Sequence, residues 1–316
     1  MASAIEVKDL VKYYGELLAI DHISFQVEKG EIFGFLGPNG AGKTTTQRIL
    51  TGIIEANDGA AWIMGYNIRK DAFYAKSLMG IVPEMANPYI DISAWENLML
   101  MGELYGVPKE RRIKQADKLL KMLGLYERKN TKVKTFSKGM KQRLLLCIAL
   151  ISQSQILFLD EPTVGLDVQS SRLIRNLIRE LNKDGLTIFL TTHNIEEANQ
   201  LCSRIAIIDH GKIATIDSPE NLRQAFRSMQ SVEIGFAIPF DDIELLRKLA
   251  GVSQVKKVGE NFRLYTEEPA KVIYELADFS RKSNIKFTTL NTLGPSLEDV
   301  FVKITEEHKG WNYEHH

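Results

Sequence analysis

The 316-residue sequence has no apolar run long enough to cross a membrane as a helix, which takes about 20 consecutive positions. Its most apolar stretch, residues 144–151, stops at Ser152, Gln153, Ser154 and Gln155. The first residues, MASAIEVKDL, lack the charged-then-apolar plan of a secretion leader. The expectation is a soluble chain whose membrane role, if it has one, runs through a partner. Cysteine is scarce: Cys147 and Cys202 stand alone, without a CxxC or a His/Cys cluster. That fits a reducing cytosol and argues against structural zinc. Excess charge is absent as well, since 40 basic and 40 acidic residues cancel to zero, and a nucleic-acid binder normally carries a basic face.

What is present is ordinary for a globular protein, 44% hydrophobic and 25% charged. At about 150 residues per domain the length predicts two domains. Ile5, Val7 and Leu10, then Ile23, Phe25 and Val27, read as strands at period two. Residues 31–36 form a strand entering a glycine-rich turn, with a helix from about Lys43. Helices are predicted over 94–105 and 109–123, separated by Gly106 and Pro108, and over 170–182. Residues 156–159 and 187–190 are buried strands. Alternating strands and helices predict an α/β fold with a largely parallel sheet. From about 218–230 the pattern changes. Strands at 231–236, 254–258, 262–265 and 286–290 and helices at 242–250 and 269–283 follow the β-α-β-β-α-β order of a ferredoxin-like module. An amphipathic helix over 295–304 comes last. The predicted division is 1–225, 231–308, and a patternless tail at 309–316.

Gly37, Pro38, Asn39, Gly40, Ala41, Gly42, Lys43 and Thr44 fill every required position of a P-loop on a strand–turn–helix context. The glycines let successive N–H groups point at phosphate oxygens, and the helix adds its positive end. Lys43 is expected to reach the β- and γ-phosphates, with Thr44 on Mg²⁺ and Thr45 beside it. The strand ending at Leu159 delivers Asp160 and Glu161 to the sheet's tip. Asp160 is the expected Mg²⁺ ligand and Glu161 the general base for the attacking water.

The residues between and after these motifs narrow the choice. Ser137, Lys138, Gly139 and Met140, leading into an apolar helix, resemble the signature of ABC ATPases. Pro162, Gly165, Leu166 and Asp167 resemble that family's D-loop, and His193, after Thr191 and Thr192, its switch histidine. Taken singly, Ser137 reads as an N-cap, His193 as a helix-start histidine and Tyr14 as a surface aromatic. Their occurrence in order over residues 5–217 carries the resemblance. It implies a P-loop ABC ATPase domain with antiparallel-β and helical subdomains, which binds ATP and Mg²⁺. Tyr14 would stack on adenine, and His193 would hold the γ-phosphate and water in line. The signature would act on the ATP of a second ATPase subunit, identical or not, and the work would reach an integral membrane permease at the cytoplasmic face.

Two positions depart from the family pattern. Lys138 replaces the first signature glycine. Glu84 stands where the family has a Mg²⁺-ligating glutamine, and no glutamine occurs between Gln47 and Gln115. The segment from Gly294 to Phe301 resembles the ending of ATPases from the drug-, lipid- and sodium-exporter branch. Rival readings are a soluble ABC protein of translation or repair, a binding-only ATPase, and an unrelated P-loop kinase. A single P-loop and no sustained heptads argue against the first, intact Lys43, Glu161 and His193 against the second, and the signature against the third.

Overall fold

The computed structural model of the protein describes residues 3–225 and 230–313, with side chains to residue 305. The chain divides into two units, Met1–Ser218 and Pro219–His316. The first unit runs β1 (Ser3–Tyr14), β2 (Leu17–Glu28), β3 (Ile32–Leu36), α1 (Lys43–Leu50), β4 (Asp58–Ile63), β5 (Tyr66–Asn67), α2 (Ala72–Ser77) and β6 (Met79–Val82). It continues through α3 (Ala94–Leu104), α4 (Lys109–Met122), α5 (Lys138–Leu150), β7 (Ile156–Asp160), α6 (Val168–Lys183), β8 (Thr187–Thr192), α7 (Ile195–Leu201), β9 (Arg204–Asp209) and β10 (Lys212–Asp217).

Its main sheet has the order β10-β9-β3-β8-β7-β6. From β9 to β6 all neighbours are parallel, and β10 joins antiparallel at the edge. β3, β7 and β8 are buried at every position, as continuous apolar strands covered on both faces must be. These three are adjacent and point one way, so the segments that follow them leave the same edge of the sheet. In open parallel sheets that edge is where ligands bind.

A second sheet, antiparallel in the order β2-β1-β4-β5, lies against the first. Phe25 on β2 stacks on Phe33 of β3 at 5.6 Å between centroids and also meets Phe35 and Phe189. Each such pair adds about 0.5–1.5 kcal/mol beyond area burial, so the rings join the two sheets. Among the helices, α3 opens on a reciprocal cap between Ser93 and Glu96. It ends where Gly106, at φ 72°, lets Val107 N–H bond back to Gly102. α6 buries Ile174, Leu177, Ile178 and Leu181, a single stripe at helical spacing.

The second unit contains α8 (Pro219–Ala225), β11 (Gln230–Phe236), α9 (Ile243–Arg247), β12 (Gln254–Val258), β13 (Asn261–Thr266), α10 (Pro269–Ser283), β14 (Phe287–Leu293) and α11 (Leu297–Tyr313). Its sheet is antiparallel throughout, in the order β12-β13-β11-β14. Val232, Ile234, Phe262 and Leu264 pack with Leu246, Val272 and Leu276 in a core of its own. Two boundaries differ from the sequence reading. α9 is shorter than 242–250, because the chain turns at Gly251 (φ 90°) while Leu249 and Val252 pack on the core. The last helix runs on to Tyr313, through part of the segment read as a patternless tail; residues 314–316 lie outside the described residues.

Candidate functional site

The loop between β3 and α1 needs its glycines. A Cβ at Gly37 would stand 2.3 Å from the Ile208 carbonyl oxygen, and Gly40 and Gly42 hold φ of 80° and 105°. Gly42 is also the N-cap of α1 and supplies no side chain to it. The first N–H groups of that helix therefore keep their positive ends for a ligand. Lys43 Nζ donates to the carbonyls of Gly37 (2.7 Å) and Pro38 (2.9 Å) and lies 3.9 Å from Glu161 Oε1. Burial pulls the Lys43 ammonium below its ordinary pKa, while Glu161, Asp160 and Glu84 oppose that shift by their charge.

Behind the loop, Asp160 at the end of β7 accepts from Thr44 Oγ1 (3.3 Å) and, in a short bond, from Thr191 Oγ1. Glu161 follows at φ 50°, a left-handed conformation costing a non-glycine residue about 1–3 kcal/mol and typical of functional sites. Its N–H is tied to the Thr191 carbonyl at 3.0 Å. Its carboxylate meets His193 Nδ1 at 2.8 Å and accepts from Thr192 Oγ1 at 3.4 Å. A carboxylate only accepts, so Nδ1 carries the proton in this pair.

These groups line a cleft of about 580 Å³. Asn39, Gly40, Gly42, Lys43, Thr44 and Thr45 form its floor. Glu84, in the turn after β6, and Glu161 and His193 stand on one side, and Tyr14, 46% exposed at the end of β1, on another. Gly37, Pro38 and Ala41 support the floor from outside the lining. Ser137, Lys138, Gly139 and Met140 do not line the cleft, nor do Gly165, Leu166 and Asp167.

Within the chain the two latter groups meet each other. Ser137 caps α5 by accepting from Met140 N–H, and Asp167 caps α6 by accepting from Ser170. Gly139 faces Ser170 so closely that a Cβ would lie 2.6 Å from its Oγ. Lys138 Nζ lies over Gly165.

Sequence reasoning missed one wall, formed by Leu18 and Ala19 of β2 with His210 and Gly211. His210 and Gly211 both have positive φ, 45° and 79°, and join two apolar strands. A two-residue His-Gly link between alternating segments is a hairpin signal that locates the turn. Only packing brings it to the loop, where Gly211 N–H bonds Ala41 at 3.0 Å.

No three acidic, histidine or cysteine side chains among the described residues converge as a metal nest. One carboxylate and one hydroxyl, Asp160 and Thr44, do stand together beside the phosphate loop. That donor set suits Mg²⁺, which keeps several waters and takes its remaining oxygens from phosphates.

Comparison with known proteins agrees with this geometry. The family model described as "ABC transporter" matches residues 20–164. The chain is 34% identical over 304 residues to the linearmycin resistance ATP-binding protein LnrL of Bacillus subtilis, covering 95% of this chain and 98% of that protein. It is 36% identical over 303 residues to Nod factor export ATP-binding protein I of Rhizobium sp. (strain N33), covering 96% and 97%. Among solved structures it resembles an ATP-binding subunit of an ABC transporter, with a TM-score of 0.63 at 28% identity over 71% of this chain and 93% of that one. The chain belongs to the ATP-binding subunits of ABC transporters, ATPases that bind and hydrolyse ATP and work with membrane permease subunits.

Proposed function

We propose that ATP lies in the cleft with its phosphates on the 37–45 loop and its adenine toward Tyr14, and that Glu161 and His193 carry out the hydrolysis. The observation that carries this reading is the meeting of Lys43, Glu161 and His193 at the mouth of the loop. Glu161 accepts a proton from the attacking water while the water oxygen bonds the γ-phosphorus and the bond to ADP breaks. His193, fixed through Nδ1 by Glu161, turns Nε2 to the γ-phosphate and the water. Thr44 and Asp160, joined by Glu84 from the cleft wall, would hold Mg²⁺, which when bound would neutralise phosphate charge.

Ser137, Lys138, Gly139 and Met140 stand outside their own chain's cleft, which supports a second ATPase subunit in two-fold arrangement, each signature closing the other's site. Ser137 Oγ accepts from Met140 N–H and keeps its own O–H to donate to that γ-phosphate. Gly165, Leu166 and Asp167 follow as the D-loop between the two sites. The transporter's path lies in a separate permease, and no helix among the described residues is long and apolar enough to cross a membrane. A groove of about 880 Å³ lined by Phe73, Ile81, Leu104 and Tyr105 together with Lys76, Arg111 and Lys114 receives the permease. Phe73 there is 81% exposed. The export name of the Rhizobium relative favours export, from the cytoplasmic face of the membrane. Residues from 231 onward serve pairing or regulation, and nucleic acid is not a partner.

The test is Glu161→Gln, whose amide keeps the shape but cannot take the proton. It should bind ATP, hydrolyse it at least a hundredfold more slowly, on the order of the loss of a general base, and elute as a dimer on size exclusion in ATP. A folded variant that remains monomeric in saturating ATP would overturn the shared-site reading.

A further inference from the structure

We infer that Glu197 is a positioning residue for the Glu161–His193 pair, its carboxyl pinning the turn after Glu161 to the helix after His193. The inference rests on the proposed catalytic roles of those two residues. Glu197 is the third residue of α7 and is 1% exposed. Asn194, next to His193, accepts from its N–H at 3.0 Å, which fixes the start of the helix. Its Oε1 accepts from Thr163 Oγ1 at 2.7 Å, and Thr163 lies two residues beyond Glu161. One carboxyl thus joins the exits of β7 and β8 across 34 residues of sequence.

The neighbouring hydroxyl extends the link. Thr192 faces Glu197 and also donates to Glu161 Oε2 at 3.4 Å, while its oxygen accepts from Asn194 N–H. Burial raises the Glu197 carboxyl above its usual range, opposed by the Thr163 hydrogen bond and the nearby Thr192 hydroxyl, while the charge of Glu161 adds to the rise and that of Arg175 opposes it. The carboxyl is held by the Thr163 hydroxyl rather than by a close cation. Removing it leaves the Thr163 hydroxyl buried without its acceptor and frees the turn that sets Glu161 at its left-handed φ. Glu197 touches no reacting atom. A small displacement of Glu161 from His193 is enough to slow the chemistry, because catalytic geometry tolerates little error.

The experiment is a double-mutant cycle on the full chain, with steady-state hydrolysis, equilibrium binding of Mg²⁺ and ATP, and thermal melting on each variant. Glu197→Ala should lower kcat about tenfold to a hundredfold, with ATP affinity held within about twofold. Glu197→Gln should recover most of the rate, because its amide oxygen still accepts from Thr163. Thr163→Val should reproduce the loss from the other partner, which keeps the test available should Glu197→Ala fail to fold. On a His193→Ala background, Glu197→Ala should add almost nothing, because residues acting as one unit are not additive. An unchanged kcat in Glu197→Ala, an undiminished effect without His193, or a fall in ATP affinity as large as that in kcat would each overturn the inference. Wild-type hydrolysis by Glu161→Gln and His193→Ala themselves would instead overturn the catalytic assignment beneath it.

Discussion

Lys43 Nζ stands 3.9 Å from Glu161 Oε1, the same oxygen that His193 Nδ1 approaches to 2.8 Å. One buried carboxylate thus meets both the loop's ammonium and the histidine.

Lys43→Met removes the loop's fixed positive charge while keeping much of its length. A hydrogen bond to a charged group is worth about 1.5–3 kcal/mol, so ATP affinity should fall at least tenfold, on the order of 1.4 kcal/mol per decade. Titration calorimetry with the full chain checks this. Affinity equal to wild type would mean that the phosphates lie elsewhere.

Gly139→Ala tests the contact between the signature helix and the D-loop helix. The new Cβ meets Ser170 Oγ and Cβ at 2.6 and 2.9 Å, and Ser170 is already bonded to both oxygens of Asp167. Overpacking of this kind costs about 1–3 kcal/mol, to be read as a lower melting temperature. Adding Ser170→Gly should return part of the loss. An unchanged melting temperature in the single variant would show that α5 and α6 separate freely.

Glu84 carries a negative charge to the cleft beside Asp160 and Glu161, and Lys43 feels all three. Glu84→Gln should keep ATPase activity and shift its dependence on Mg²⁺ concentration, because an oxygen ligand remains while the repulsion falls. Glu84→Ala should lose much of the rate. Superimposable Mg²⁺ curves for the three proteins would remove Glu84 from the metal's surroundings.

In the second unit, the Tyr265 hydroxyl donates to Asp299 at 2.8 Å. Burial first, and then the hydrogen bond and charge of Asp299, push the phenol up to about 12. An unfolded tyrosine titrates near 10. The folded-state value is the higher one, so its contribution is complete below about pH 10 and is lost as pH rises toward 12. Phenolate absorbance should lose one late-titrating tyrosine in Tyr265→Phe, and stability to denaturation should fall less steeply across that window in the variant. Identical alkaline titrations would mean that this bond is not made in solution.

The sequence alone determined the α/β class, the phosphate loop and the acidic strand end. Each is a local pattern: 37–44 is contiguous, and an apolar run ending in Asp160 and Glu161 has few other folds available. The same holds for α10, whose bounds, Pro269–Ser283, are those its periodicity and leading proline indicate. Other features depend on which strand lies beside which. That β3, β8 and β7 are neighbours, and so bring Lys43, His193 and Glu161 to one edge, is settled by sheet order. So are the cleft wall from Ala19 and His210, the Gly139–Ser170 approach and the Glu197–Thr163 bond, which join positions up to 191 residues apart in the chain without any periodic mark at either end. Periodicity records which face of an element is buried, whereas the partner on that face is chosen by packing, and only the tertiary structure contains that choice.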